Sequence, residues 1–225
     1  MGVAADYPPF AFIENNVEKG FSIDLAHLLA KELGFDLVIM NMNFHDLIPT
    51  LKNGGVDFIL SSLTPTTDRA KDIGFSTSYF SQNFAVLMLA NANATKVLNF
   101  SNQTIGVVKG TVLESLIAEK QEINPSIGLL SLDTVGELVT KLKENKLNGI
   151  ILAKEVALNI EKSNKPLFKV AVMEGKTQEY AIAFRKGSLW KDKFDDILNS
   201  EKIKAKVNTL KKKWFGDNPI GLDSN

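Results

Sequence analysis

The chain has 225 residues, 44% hydrophobic and 23% charged, with zero formal net charge. That length holds one large domain or two of about 100 residues each, and zero net charge gives no support to a nucleic-acid or anionic-membrane surface. The absence of cysteine excludes disulfides, thiol catalysis and cysteine metal sites, and the two histidines, His27 and His45, are too few and too unpatterned for a His-rich metal site.

No apolar run reaches the ~18 residues that span a bilayer. Met1-Gly2 runs at once into strand-like sequence, which reads as the start of a trimmed mature domain. Gly2 to Phe12 reads as a strand broken at Tyr7-Pro8-Pro9-Phe10, where the prolines end sheet pairing and hold two aromatic rings at the strand's end. Asn15-Asn16 and Gly20 supply a turn. Ile23, Ala26, Leu29, Ala30 and Leu33 repeat at helical spacing, which predicts a helix over Ser22 to Leu33 stopped by a left-handed Gly34. Asp36 to Met40 reads as a strand. Phe44 precedes a short helix, Asp46 to Asn53, with Pro49 in its first turn and Gly54-Gly55 after it.

Val56 to Leu60 reads as an apolar strand that runs into Ser61, Ser62, Thr64, Thr66, Thr67, Asp68 and Arg69. Pro65 prevents the strand from continuing. Hydroxyls and Asp at a helix start cap its N–H groups, so a short helix opens with Arg69 near its beginning. Exposed N–H groups, hydroxyls and a guanidinium at a strand's carboxyl end suit a carboxylate. Of 26 Lys and Arg residues only Arg69 and Arg185 are arginine, and arginine offers a planar fork that lysine cannot imitate. The alternative is a structural arginine that pairs with Asp68 or a helix end.

This β-α-β-α-β rhythm predicts a parallel sheet covered by helices, with ligands at the carboxyl ends of its strands. Tyr7, Phe10, Phe44 and Ser61 to Arg69 all follow strands. Gly74 to Ala90 reads as extended and Asn91 to Asn99 as a polar loop. A second alternating unit follows: strand Thr104 to Val108, a turn at Lys109-Gly110-Thr111, and a helix from Val112 to Lys120. Gly-Thr at a helix start is a candidate anion nest, without the spacing of a nucleotide-binding P-loop. Further on come strand Ile127 to Leu132, a helix to Glu144 capped by Asp133 or Thr134, and strand Gly149 to Leu152. A helix then opens at Lys154-Glu155. Leu167 to Val172 and Glu179 to Phe184 read as strands, and Leu189 to Asn199 and Ile203 to Trp214 as helices. Lys211-Lys212-Lys213 reads as a solvated face. Two α/β units predict two lobes that close on a ligand by a hinge.

Tyr7-Pro8-Pro9-Phe10, Gly20-Phe21-Ser22-Ile23-Asp24-Leu25, Phe44-His45-Asp46-Leu47-Ile48-Pro49, Ser61-Ser62-Leu63-Thr64 with Asp68-Arg69, Gly106-Val107-Val108-Lys109-Gly110-Thr111 and Lys213-Trp214-Phe215-Gly216 occur in that order. Together they resemble the family 3 extracellular solute-binding proteins, the polar amino-acid receptors of bacterial ABC importers. The resemblance implies an α/β, two-lobed periplasmic-binding-protein-like fold of class II. Each lobe would be a mainly parallel sheet flanked by helices, with two crossover hinge strands, lobe 1 spanning 1–84 plus 180–225 and lobe 2 spanning 85–179.

The resemblance also assigns roles. Arg69 would clamp a ligand α-carboxylate, with Gly110, Thr111 and nearby N–H groups as its second-lobe partners. Ser61, Ser62 and Thr64 would contact carboxylate and ammonium, and Tyr7, Phe10 and Phe44 would form an aromatic wall. Lys154 stands where relatives carry an acid for the ligand ammonium, and Ala4 and Ala11 stand where receptors for cationic amino acids often carry acids. Glu155, Gln178 or Glu179 could restore such a group by a local shift, or Lys154 could point to solvent.

The expected function is capture of a small carboxylate or amino acid for an ABC transporter permease, at the periplasmic or extracellular face of the membrane. The chain would act as a monomer with no cofactor, metal, catalytic residue or nucleic-acid partner. The alternatives are a ligand-sensing domain of a larger receptor, or a cyclohexadienyl or arogenate dehydratase-like enzyme on the same fold, for which no cleft acid is evident as proton donor.

Overall fold

The structure is a computed structural model, and it describes residues 1–216. It divides into two compact units: Met1–Ser81 together with the chain from Gln178 onward, and Gln82–Thr177. The expected extension of the first lobe to residue 225 runs beyond the described residues.

The first unit opens with β1 (Gly2–Val3). The break expected at Tyr7-Pro8-Pro9-Phe10 is present, as a tight turn between two paired strands. Phe10 N–H donates to Tyr7 O at 2.9 Å, and the turn joins β2 (Asp6–Tyr7) to β3 (Ala11–Glu14). With β4 (Val17–Lys19) they form a three-stranded antiparallel sheet. Asn15 and Asn16 turn β3 into β4 with φ of 53° and 60°, the left-handed pair that a tight hairpin needs and that asparagine tolerates. Gly20 is obligatory: its φ is 124°, and a Cβ there would lie 2.2 Å from the Phe10 carbonyl oxygen.

Helix α1 (Phe21–Leu33) buries Phe21, Leu25, Ala26 and Leu29, and left-handed Gly34 closes it with its N–H on Ala30 O. β5 is only Met40–Asn41, because residues 35–39 make no regular ladder. A single 3₁₀ turn at Phe44–Asp46 leads into α2 (Leu47–Lys52), followed by β6 (Phe58–Ile59), α3 (Thr67–Asp72), β7 (Ile73–Phe75) and β8 (Phe80–Leu89).

In the second unit, Asn91 to Asn99 is not all loop. The Asn93 side chain accepts from Lys96 N–H and caps α4 (Ala94–Asn99), a helix too short for its periodicity to show. Then come β9 (Thr104–Val108), α5 (Val112–Ile123), β10 (Gly128–Leu132), α6 (Val135–Lys143), β11 (Gly149–Ala153), α7 (Lys154–Ser163) and β12 (Phe168–Tyr180). Thr134, not Asp133, caps α6, in a reciprocal box with Glu137. β13 (Ala183–Arg185), α8 (Trp190–Asn199) and α9 (Glu201–Phe215) return to the first unit.

The first unit's main sheet has the order β5-β1-β6-β13-β7, parallel at β5-β1-β6 and antiparallel where β13 inserts. The second has the order β10-β9-β11-β8-β12, parallel at β10-β9-β11, with β8 antiparallel to β11. Sheet-bound helices impose this pattern, since parallel neighbours need a crossover between them. β8 and β12 carry the chain from one unit to the other.

Each unit has its own core. In the first, Phe10, Phe21, Phe80, Tyr180 and Phe215 gather ring to ring, with Phe10 4.9 Å from Phe215 and 5.1 Å from Phe80. In the second, Val86, Met88, Ile105, Val107, Ile117 and Ile151 pack between sheet and helices. The lysine run at 211–213 is not a uniform solvated face. Lys212 and Lys213 are exposed but Lys211 is buried, because successive residues on a helix point about 100° apart and one of the three must face inward.

Candidate ligand-binding site

In the first unit, β5, β1 and β6 are parallel neighbours, so the carboxyl ends of β5 and β6 share one edge and bring Phe44 to the Ser61–Arg69 loop, while Tyr7 lies in β2 of the three-stranded sheet. Ser61 Oγ accepts from Ala4 N–H at 2.9 Å and is buried. Its hydroxyl ties β6 to the end of β1. Ser62 has φ of 51°, a left-handed conformation that costs a residue with a side chain about 1–2 kcal/mol. Its N–H donates to the Tyr79 hydroxyl at 3.3 Å, while its own Oγ is buried with no partner among the described residues. Backbone strain and an unsatisfied hydroxyl thus coincide on one residue. Burial pushes the Tyr79 phenol well above its usual range, so it stays neutral.

Thr64 is a junction. Gln178 Nε2 donates a short hydrogen bond to its Oγ1, and Arg69 Nη1 donates to its carbonyl at 2.7 Å. Thr66 caps α3, accepting from Arg69 N–H at 3.2 Å. The cap fixes the backbone of Arg69, and the Thr64 carbonyl fixes one arm of its fork. The guanidinium lies 6.0 Å over the Phe44 ring. Burial pulls Arg69 down to about 10, which leaves it cationic at neutral pH. Asp68 pairs with Lys71 at 2.6 Å on the exposed side of the helix.

Tyr7 is half-buried, its ring 6.2 Å from that of Phe10. Phe10 does not belong in an aromatic wall. It is 1% exposed and enclosed by Phe21, Phe80, Tyr180 and Phe215. The turn that follows β2 drives its ring inward, into the aromatic core of the first unit.

In the second unit, β9 and β11 are parallel neighbours, so Gly110-Thr111 and Lys154 follow adjacent strand ends. Gly110 has φ of 78°, and its N–H donates to Glu114 Oε2 at 2.7 Å. Thr111 precedes α5, but its hydroxyl donates back to Val108 O at 2.7 Å instead of capping the helix. Lys154 does not point to solvent. Its side chain is 14% exposed and its Nζ lies 3.9 Å from Glu155 Oε1, whose side chain is 15% exposed. Glu155 N–H donates to buried Gln82 Oε1 at 3.3 Å. Burial raises the Glu155 carboxyl, and Lys154 partly offsets that.

Gln82, Tyr79 and Glu114, which hydrogen-bond to candidate residues, are not singled out by the sequence.

The chain matches the bacterial extracellular solute-binding proteins, family 3, over residues 1–217. It belongs to that family. This solute-binding protein is 33% identical over 219 residues to the arginine-binding extracellular protein ArtP of Bacillus subtilis (strain 168), covering 96% of this chain and 85% of ArtP. Its fold is shared by an ancestral arginine-binding protein bound to arginine, with a TM-score of 0.90, 28% identity and 96% of each chain covered. It is also shared by the ancestral amino acid-binding protein AncCDT-1, a precursor of cyclohexadienyl dehydratase, with a TM-score of 0.82, 28% identity, and 95% of this chain and 93% of that one covered. The fold is therefore that of the two-lobed binding proteins, and the protein is a ligand-binding receptor. Among the described residues no helix is long and apolar enough to cross a membrane.

Proposed function

We propose that this protein is the substrate-binding receptor of an ABC importer and captures a small α-amino carboxylate without chemical change. The observation that carries the reading is Arg69. A cap and a carbonyl hold it at a strand's carboxyl end, near a strained Ser62 whose buried hydroxyl has no partner among the described residues. Arg69 takes the ligand carboxylate as a charge-assisted fork. Ser62 and Thr64 supply polar contacts, and Phe44 and Tyr7 supply apolar walls. The turn at Gly110-Thr111 supplies the second unit's contacts, with the ligand taking the Gly110 N–H from Glu114, and contacts from both units favour a closed state. Ala4 and Ala11 are buried and apolar, and Lys154 neutralises Glu155, so we assign a ligand whose side chain is neutral or acidic. The receptor works as a monomer at the outer face of the membrane and delivers its ligand to a permease.

Calorimetry on glutamine, glutamate, arginine, lysine and small dicarboxylates tests the ligand class, and X-ray scattering with and without the tightest binder tests closure. A neutral or acidic amino acid is expected to bind most tightly and to shrink the radius of gyration. Failure of every amino acid to bind would overturn the reading. Likeness to a dehydratase precursor motivates a second assay: prephenate and arogenate are expected to remain unconverted.

A further inference from the structure

Lys211 is a buried cation that the site above leaves unused. It is 8% exposed on α9, in the first unit. Its Nζ lies 5.3 Å over the Phe80 ring, and among the described residues no carboxylate comes within 4.0 Å of it. Burial alone depresses its ammonium, with no anionic neighbour to restore it. Interior charges are otherwise paired, and a ring face compensates only part of what lost hydration costs.

Lys211 lines a cavity of about 220 Å³ with Ser78, Tyr79, Leu198, Val207 and Asn208. The carboxylates bonded to the cavity's lining residues are engaged. Glu179 accepts from Ser78 at 2.8 Å, Asp195 accepts from Thr77 N–H at 2.7 Å and pairs with Lys191 at 2.7 Å, and Glu201 pairs with Lys204 at 2.8 Å. Leu198, Val207 and Tyr79 give the cavity apolar wall, and Ser78 and Asn208 give it hydrogen-bonding groups.

We infer that this cavity is a second binding site, for a small aliphatic carboxylate whose head pairs with Lys211 and whose tail packs on Leu198 and Val207. A bare inorganic anion would satisfy the ammonium but leave the apolar wall uncovered. The site is separate from Arg69, although Tyr79, which lines the cavity, also accepts from Ser62 N–H.

Butyrate titrated into the protein, with lysine ε-methylene resonances followed by NMR, tests the inference. The Lys211 resonance, assigned from its loss in Lys211→Met, is expected to shift saturably. Lys211→Met keeps the apolar stem against Phe80 and is expected to weaken butyrate binding at least about tenfold, the loss of a charge-assisted pair. Arg69→Ala is expected to leave the Lys211 response to butyrate intact, which separates this site from the amino-acid site. An unmoved Lys211 resonance, or butyrate affinity retained in Lys211→Met, would overturn the inference. So would an equal response to chloride, which would make the site one for any small anion. If Lys211→Met does not fold, Lys211→Arg, which keeps the cation, assigns the wild-type resonance by the same loss, and the butyrate response of that resonance decides.

Discussion

Lys154 Nζ stands 3.9 Å from Glu155 Oε1 at the start of α7, and both side chains are about as covered as each other, 14% and 15% exposed. A lysine at a helix start would ordinarily reach into water. Here β11 passes into α7 without a loop, so the first helical residues stay against the sheet.

Lys154→Met removes the cation and leaves Glu155 as an acid without its partner. Affinity for arginine and lysine is expected to rise several-fold relative to glutamine, since like-charge repulsion is removed and a buried acid gained. Calorimetry on the three amino acids measures the ratio. An unchanged ratio places the pair outside the ligand's reach.

Arg69→Lys keeps the charge and removes the fork. The expected loss is about 2 kcal/mol in binding the amino acid, roughly 30-fold in Kd. Stability without ligand should fall by about 1 kcal/mol with the loss of the Nη1 bond to the Thr64 carbonyl, while the N-cap of Thr66 uses the backbone of Arg69 and survives the exchange. Wild-type affinity in the variant would show that the carboxylate sits elsewhere.

Ser62→Gly relieves the left-handed strain and deletes the unpartnered hydroxyl. Some of that gain is returned as chain entropy in the unfolded state. A net stabilisation of about 1 kcal/mol is expected, or a Tm rise of roughly 2–4 °C for a chain of this size. Ligand affinity should fall several-fold with loss of the hydroxyl. Calorimetric melting with and without ligand checks both signs, and a variant that melts lower without ligand contradicts the strain argument.

Glu32 on α1 accepts from Lys202 at 2.7 Å and from Lys206, both on α9. These pairs lower its carboxyl from 4.5 to about 2. A depressed carboxylate contributes stability that is present above its unfolded value and lost as pH falls through its folded value. Glu32→Gln should therefore melt below wild type at pH 7, with the gap closing between about pH 4.5 and 2. Added salt should shrink the gap at pH 7, since the lysines are largely exposed. A gap independent of pH would mean that Glu32 acts through packing.

Local chemistry made much of this protein legible in its sequence. The helix of α1 and its Gly34 stop, β9 and the cap of α6 follow from periodicity and capping residues within a few positions of each other. The clustering of Phe44 and Arg69 follows from the rule that ligand groups gather at strand carboxyl ends. The scarcity of arginine singled out Arg69 and Arg185 alike and left a structural role open.

What only the tertiary structure decided depends on which way a side chain faces once distant segments meet. Phe10 and Tyr7 look alike in sequence, yet packing of β12 and α9 makes one a core ring and leaves the other half-buried. Lys211 and Lys212 are adjacent and identical, yet the face of α9 that meets Phe80 buries only the first. Ser62 looks like one more loop hydroxyl until β6, β1 and Tyr79 force it into a left-handed turn. Lys154 reads equally as a site residue or a solvated helix start until β11 holds it, largely covered, beside Glu155. Propensity and pattern act over a turn or two of chain, whereas burial and pairing are set by contacts across tens of residues, and those no local stretch encodes.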